Sequence, residues 1–204
     1  NFSFTDLRFQ TMIHGIFNKR LKNKLVVYHC FCTQNSAEMV PRFCSAMLSA
    51  NIYQKITDTI HPEYYKMGTY FGGTQPQFRN SKDVATFDLI FDCDPRKFLV
   101  RGEKPISITS GFRIKNPTLH DANPLIDVVG SGTISINSVS VIVSGVSGET
   151  IIDCDTQEAY YGTVSRNNNI TLDNGEFPEL TPGENTVTYS GFASVKITPR
   201  WWTI

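Results

Sequence analysis

Two short triplets carry residue types able to do chemistry: Asp92-Cys93-Asp94 and Asp153-Cys154-Asp155. Carboxylates flanking one position could hold a hard cation, or pass protons as a general acid and base. Calcium takes about six to eight oxygen ligands, and no local run or EF-hand-like loop supplies them around either triplet. The structural alternative is a strand that buries the Cys and leaves its flanking Asp residues in water. The remaining reactive residues form no set. His14, His29, His61 and His120 are scattered, and Ser107, Ser110 and Ser194 lack a nucleophile-elbow context. No HExxH, GxSxG, GxGxxG or P-loop pattern occurs. The cysteines Cys30, Cys32, Cys44, Cys93 and Cys154 are odd in number, contain no CxxC and offer no second ligand pair for zinc. Buried free thiols in a reducing compartment fit that pattern. No catalytic residue, no metal and no cofactor are therefore expected.

The tandem aromatics are the better functional cue: Tyr64-Tyr65, Tyr160-Tyr161 and Trp201-Trp202. Neighbours on a strand face opposite sides, so one of each pair packs while the other meets solvent. An exposed Tyr or Trp on a β-sandwich stacks on a sugar ring or anchors a protein interface. Tyr161, Trp202, Asn167 and Asn168 are the candidate ligand or partner surface, the asparagines offering amide hydrogen bonds to hydroxyls. The plainer reading is a core Trp beside an edge-covering neighbour, and a polar hairpin loop over 167–169.

These residues need elements to position them. The 204 residues suffice for one large domain or two ordinary ones, and 40% hydrophobic content allows a core to form. Nineteen basic residues balance nineteen acidic ones. The single basic cluster, Lys19, Arg20, Lys22 and Lys24, reads as a solvated loop, so no nucleic-acid partner is expected. The longest apolar run, 139–146, is broken by Ser and Gly and is far short of the ~20 residues of a membrane helix, so no membrane insertion is expected.

In the first half, 25–33 and 83–92 read as strands, with Pro95 ending the second. Pro41 opens a helix over about 40–50, whose face is Phe43, Cys44, Met47 and Leu48. After about residue 100 the chain turns rich in Ile, Val, Thr, Ser and Gly. Strand-like runs fall at 106–109, 125–129, 133–136, 139–143, 150–154, 186–189 and 193–198. The last places Ala193, Val195 and Ile197 on one face. Turn signals separate the runs, including Asn174-Gly175 and Pro182-Gly183. Short strands at this spacing predict a β-sandwich or jelly roll. The expected fold is mainly β: a β-rich domain with one α-helix over 1–102, then a sandwich over 103–204.

The C-terminal half resembles the distal tail proteins of siphophages and their prophages. The resemblance is carried by "GETIIDCDTQEAYY" (148–161), "GEFPELTPGENTV" (175–187) and "SVKITPRWW" (194–202), with "NPLIDVVGSGTISI" (123–136) and "FDLIFDCDPRKFLVRGE" (87–103) in support. It covers about residues 60–204; residues 1–59 fit only in their strand–helix–strand order. The matching positions are Asp153, Tyr160, Phe177, Pro178, Leu180, Pro182, Gly183, Asn185, Gly191 and Trp201. They hold the fold: Pro182-Gly183 and Asn185 shape a turn, while Phe177, Leu180 and Trp201 pack. The resemblance implies a non-enzymatic virion protein, prophage-encoded and made in the bacterial cytoplasm. Its belt-type first domain closes a homo-hexameric ring between tail tube and tail-tip proteins. Its second domain, a galectin-like or carbohydrate-module-like sandwich, projects outward to hold a receptor-binding protein or touch host glycan. The family's first domain begins with strands ahead of the point where Asn1 stands, so it is expected to lack those strands here. Two other functions compete: a carbohydrate-binding module recognising cell-surface glycan, and a glycan-processing enzyme using an Asp-Cys-Asp pair.

Overall fold

The computed structural model describes residues 9–13, 24–32, 45, 53–57, 61–73, 77–79 and 84–204. The chain divides into two compact units, Asn1–Lys97 with Ile204, and Phe98–Thr203. Both are built of antiparallel sheet, and the fold is mainly β. Of the helix expected at about 40–50, only Ser45 lies among the described residues, and its backbone is helical.

The first unit contains β1 (Phe9–Ile13), β2 (Lys24–Cys32), β3 (Gln54–Thr57), β4 (Tyr64–Gly73), β5 (Gln77–Arg79) and most of β6 (Val84–Leu99). Their order is β1-β2-β6-β4-β3, with β5 also paired to β6. Strand β6 is the spine. Phe87, Leu89, Phe91 and Cys93 are its buried side, at the period of two expected of a half-buried strand. The Phe91 ring meets Tyr70 edge to face, with centroids 5.6 Å apart. The expectation that Pro95 ends this strand fails, because β6 runs sixteen residues, on to Leu99. The last pair with β2 is Lys24 with Cys93, so Pro95 lies past the point where β2 would need its missing N–H.

The second unit opens with a 3₁₀ turn, Val100–Glu103, followed by β7 (Ile106–Ser107), β8 (Phe112–Asn116), β9 (Leu125–Val129), β10 (Gly132–Ile136) and β11 (Val139–Val143). Next come β12 (Glu149–Asp153), β13 (Glu158–Tyr161), β14 (Val164–Ser165), β15 (Ile170–Leu172), β16 (Gly183–Ser190), β17 (Ser194–Thr198) and β18 (Trp202–Thr203). Two sheets result, ordered β15-β11-β10-β16-β8 and β14-β13-β12-β9-β17-β7. Ile126, Val128, Ile152, Val195 and Ile197 from one sheet, and Ile134, Ile136, Val141, Val143 and Val187 from the other, are fully buried. They form the core of a β-sandwich. In β17 only Val195 and Ile197 are buried; Ala193 lies before the strand and is exposed.

Local chemistry explains the turns. Ile136 pairs with Val139 across a two-residue turn in which Asn137 takes φ 54°, a left-handed value that Asn tolerates. Gly191 takes φ 84° between β16 and β17, and a Cβ there would stand 2.8 Å from the Ser131 carbonyl oxygen. Only glycine fits. The composition change placed a boundary after residue 102, whereas the compact units divide after Lys97. Residues 98–102 join the sandwich because the Leu99 N–H donates to Trp201 O (2.8 Å) and the Arg200 N–H donates to Gly102 O (2.8 Å).

Candidate functional site

The second Asp-Cys-Asp triplet sits at the end of β12, and it is a structural lock. Asp153 is buried and faces the Arg200 guanidinium, with Nη1 2.6 Å from Oδ1 and Nη2 2.9 Å from Oδ2. The Asp155 and Thr156 N–H groups also donate to Oδ1, at 3.0 and 3.3 Å. Burial pushes the Asp153 carboxyl upward, but the Arg200 hydrogen bonds and charge, with the two backbone donors, outweigh it and hold the group below its ordinary value. The expectation that the flanking Asp residues face water holds for Asp155 and fails for Asp153. A periodicity of two cannot reveal an arginine that arrives from 47 residues away. Cys154 is buried, and desolvation pushes its thiol up to about 12. In the first triplet Cys93 is likewise buried and raised to about 11, mainly by desolvation. Burial also pushes Asp94 upward, but the Arg96 side chain and N–H hold it below its ordinary value. Neither triplet presents a pair of carboxylates with no other engagement. Among the described residues no group of three or more His, Cys, Asp or Glu is placed to hold a metal ion.

The Trp201 ring, 5% exposed, closes the same region. A Cβ on Gly102 would come within 2.7 Å of the Trp201 N and 3.0 Å of its Cδ1, so only glycine lets the 3₁₀ turn lie against the tryptophan. Its neighbour Trp202 is half-buried, stacks on His120 (centroids 4.3 Å, 11°) and donates from Nε1 to Asp121 O at 2.8 Å. Tyr65 and Tyr64 divide in the same way, buried and half-buried, as do half-buried Tyr160 and exposed Tyr161.

Asn185 is fully buried on β16 and organises the preceding turn. Its Oδ1 accepts from the Thr181 N–H (2.9 Å) and from Asn137 Nδ2 (2.9 Å), and its Nδ2 donates to Thr181 O (2.8 Å) and Gly183 O (3.1 Å). Pro182 is exposed at the tip, and Gly183 takes φ 89°. Ahead of the turn Phe177 is half-buried, while Pro178 and Leu180 are buried. Leu180 exchanges both backbone hydrogen bonds with Ala122, at 2.9 and 3.0 Å.

A second buried amide, Asn116, escaped the sequence reading. Its Nδ2 donates to His120 O (2.9 Å) and Leu180 O (2.8 Å), and its Oδ1 accepts from the Thr118 N–H (2.9 Å). The legible signal was Asn116-Pro117 at the end of an alternating run, an Asn placed to bond its own backbone two residues on. Arg200 and Gly102 were also missed.

The Asn167–Asn169 run forms a 3₁₀ turn. The exposed Asn167 accepts from the Ala159 N–H at 2.6 Å, and Asn168 is exposed. Beside it Glu158, Tyr160, Thr163, Ser165 and Asn167 line a cleft of about 340 Å³, and neither Tyr161 nor Asn168 is among its lining residues. Trp202 does not line that cleft. The four surface candidates therefore divide between the β13–β14 hairpin and the loop carrying His120.

No helix among the described residues is long and apolar enough to cross a membrane. No family model matches the chain, and no curated protein matches it significantly. Solved structures do. The chain is similar to the Dit (gp 19.1) protein of phage SPP1, described as a paradigm of the hub adsorption apparatus in phages that infect Gram-positive bacteria. That match has a TM-score of 0.64 and 14% identity, over 97% of this chain and 89% of that one. It is also similar to chains of the phage P2 baseplate in its activated conformation, with Ca (TM-score 0.48) and with Sr (0.49). Each of those is 8% identical and covers 93% of this chain and 86% of that one. At 14% identity the likeness to the SPP1 protein is one of fold, and it extends over both compact units.

Proposed function

We propose that this chain is a structural component of a phage or prophage tail tip, a distal tail protein forming a ring that links tail tube to tail-tip and receptor-binding proteins. The observation that carries the reading is the likeness of fold to the SPP1 hub protein over 97% of the chain. The engagement of both Asp-Cys-Asp triplets in internal contacts supports a non-enzymatic role. A cyclic ring joins two different surfaces of each subunit head to tail, which a charge-balanced chain can supply without a titrating site. Light scattering across a concentration series, with negative-stain images of the heaviest species, tests this. Rings of about six copies are expected. A monomer at every concentration, even with purified tail-tube protein added, overturns the ring.

A second reading has its own observation: the cleft lined by Tyr160, Ser165 and Asn167. A glycan would stack on the tyrosine and bond to the polar lining. Saturable binding of host wall polysaccharide that is lost in Tyr160→Ala would favour this module; no binding would remove it.

A further inference from the structure

The turn after β15 carries the pair Asn174-Gly175, which neither functional reading uses. Both residues are exposed, and Gly175 takes φ 73°. The Asn174 side-chain amide has no hydrogen-bond partner among the described residues. The Gly175 N–H reaches Leu172 O at 3.4 Å, a long and weak bond. A Cβ built on Gly175 would meet nothing within 4 Å, so the turn stands in open solvent. Because glycine has no side chain, the amide carbon of Asn174 can approach the Gly175 nitrogen without a steric barrier. Two groups able to react with each other are therefore adjacent, wet and lightly held.

The other described asparagines are each restrained. Asn116 and Asn123 precede Pro117 and Pro124, whose nitrogens carry no hydrogen to lose. Asn137 uses both ends of its amide: Nδ2 donates to Asn185 Oδ1 at 2.9 Å, and Oδ1 accepts from the Thr186 N–H at 3.1 Å. That same bond occupies the nitrogen that would have to attack Asn185, itself fully buried. Asn167 Oδ1 accepts from the Ala159 N–H at 2.6 Å. Asn168 is exposed, but the nitrogen after it, that of Asn169, donates to Arg166 O at 2.8 Å. Asn169 donates from Nδ2 to Ser144 O at 3.0 Å, and the Ile170 N–H after it is bonded to Asn167 O. Asn174 is the one described asparagine that joins a free side chain to a weakly held following nitrogen.

We propose that Asn174 is a site of spontaneous deamidation through a cyclic imide formed with Gly175. Hydroxide removes the Gly175 amide proton, and the nitrogen bonds to Asn174 Cγ. The Cγ–Nδ2 bond breaks, and the departing nitrogen takes a proton from water and leaves as ammonia, which regenerates the hydroxide. Water then opens the imide. Attack at Cγ gives aspartate; attack at the Asn174 main-chain carbonyl carbon gives isoaspartate, which lengthens the backbone by a methylene. One water is consumed, one ammonia is released and no electrons are transferred. Either product sets a carboxylate, ionised at neutral pH, between Asp173 and Glu176, so the turn gains negative charge with age. The proposal does not rest on the tail-tip reading.

The test incubates the full chain at neutral and at alkaline pH, below its melting temperature. Peptide-resolved mass spectrometry follows each asparagine, and isoelectric focusing follows the charge. Asn174 should convert ahead of the other described asparagines, faster in alkali, to a mixture of aspartate and isoaspartate with an acidic shift of the whole chain. Asn174→Gln, which would need a larger ring, should lose that shift while melting like the parent. Asn174→Asp should focus where the aged wild-type chain does. Conversion in denaturant with none in the folded chain overturns the proposal, because the turn would then shield the amide. Aspartate without isoaspartate overturns the part played by Gly175. Equal conversion at Asn137 or Asn168 overturns the selectivity that the hydrogen bonds imply.

Discussion

Asp153 shows how one residue changes meaning once its partner arrives. Alone it is half of an acidic pair; with the half-buried Arg200 it becomes a part-buried ion pair with two backbone donors. Its carboxyl lies below its ordinary value in the folded chain, so the unfolded chain takes up the proton first as pH falls. The stability it contributes is complete above the unfolded value of 3.8 and is lost as pH drops through the lower folded value. Melting followed from neutral to acid pH should therefore steepen downward below about pH 4. Asp153→Ala should cost about 3–5 kcal/mol at neutral pH, because it strands Arg200, and should flatten that acid limb. An unchanged limb would remove the ion pair from the account. Cys93 and Cys154 make a second prediction at this scale. Their thiols are buried and pushed up to about 11 and about 12, so almost no thiolate forms at neutral pH. Peptide-resolved alkylation should leave both unmodified in the native chain and label both in denaturant.

At the scale of elements, the segment between β15 and β16 is shaped by side chains more than by strand pairing. Asn185 satisfies backbone groups of Thr181 and Gly183 and accepts from Asn137, tying the turn to the β10–β11 hairpin. Asn185→Ala removes all of these hydrogen bonds from a fully buried position, and should cost about 1–3 kcal/mol in chemical denaturation. The C-terminal segment closes on the 3₁₀ turn through Trp201. Trp201→Ala should cost about 3–5 kcal/mol as a buried large-to-small change. A variant that melts like the parent would place that ring outside the core.

At the scale of the whole molecule, each sheet system has its own buried residues. The second unit holds two complete sheets and the Leu99–Trp201 and Gly102–Arg200 hydrogen bonds that close it. Residues 98–203 produced alone should fold and give one cooperative melt, whereas a fragment starting at 103 loses those bonds and should melt lower. Equal melting of the two fragments would put the boundary back at the composition change.

Composition and alternation determined that the chain is β-rich and that its second half is a sandwich, because a strand buried on one face must repeat its apolar residues every two positions. Strands at 125–129 and 139–143 were legible to the residue for that reason. Within each tandem aromatic pair one ring is more buried than its neighbour, but Tyr64, Tyr160 and Trp202 are half-buried, and Trp201 lies ahead of β18 rather than on its pleat. What the tertiary structure decided is everything that depends on distant partners. Pro95 continues a strand because the neighbouring strand ends before it. Asp153 is buried because Arg200 reaches it. Gly102 belongs to the sandwich because Trp201 lies against it, and Asn116 holds the Leu119 loop because Leu180 lies within its reach. Periodicity records which face a residue takes; it holds no record of which distant group will meet it there.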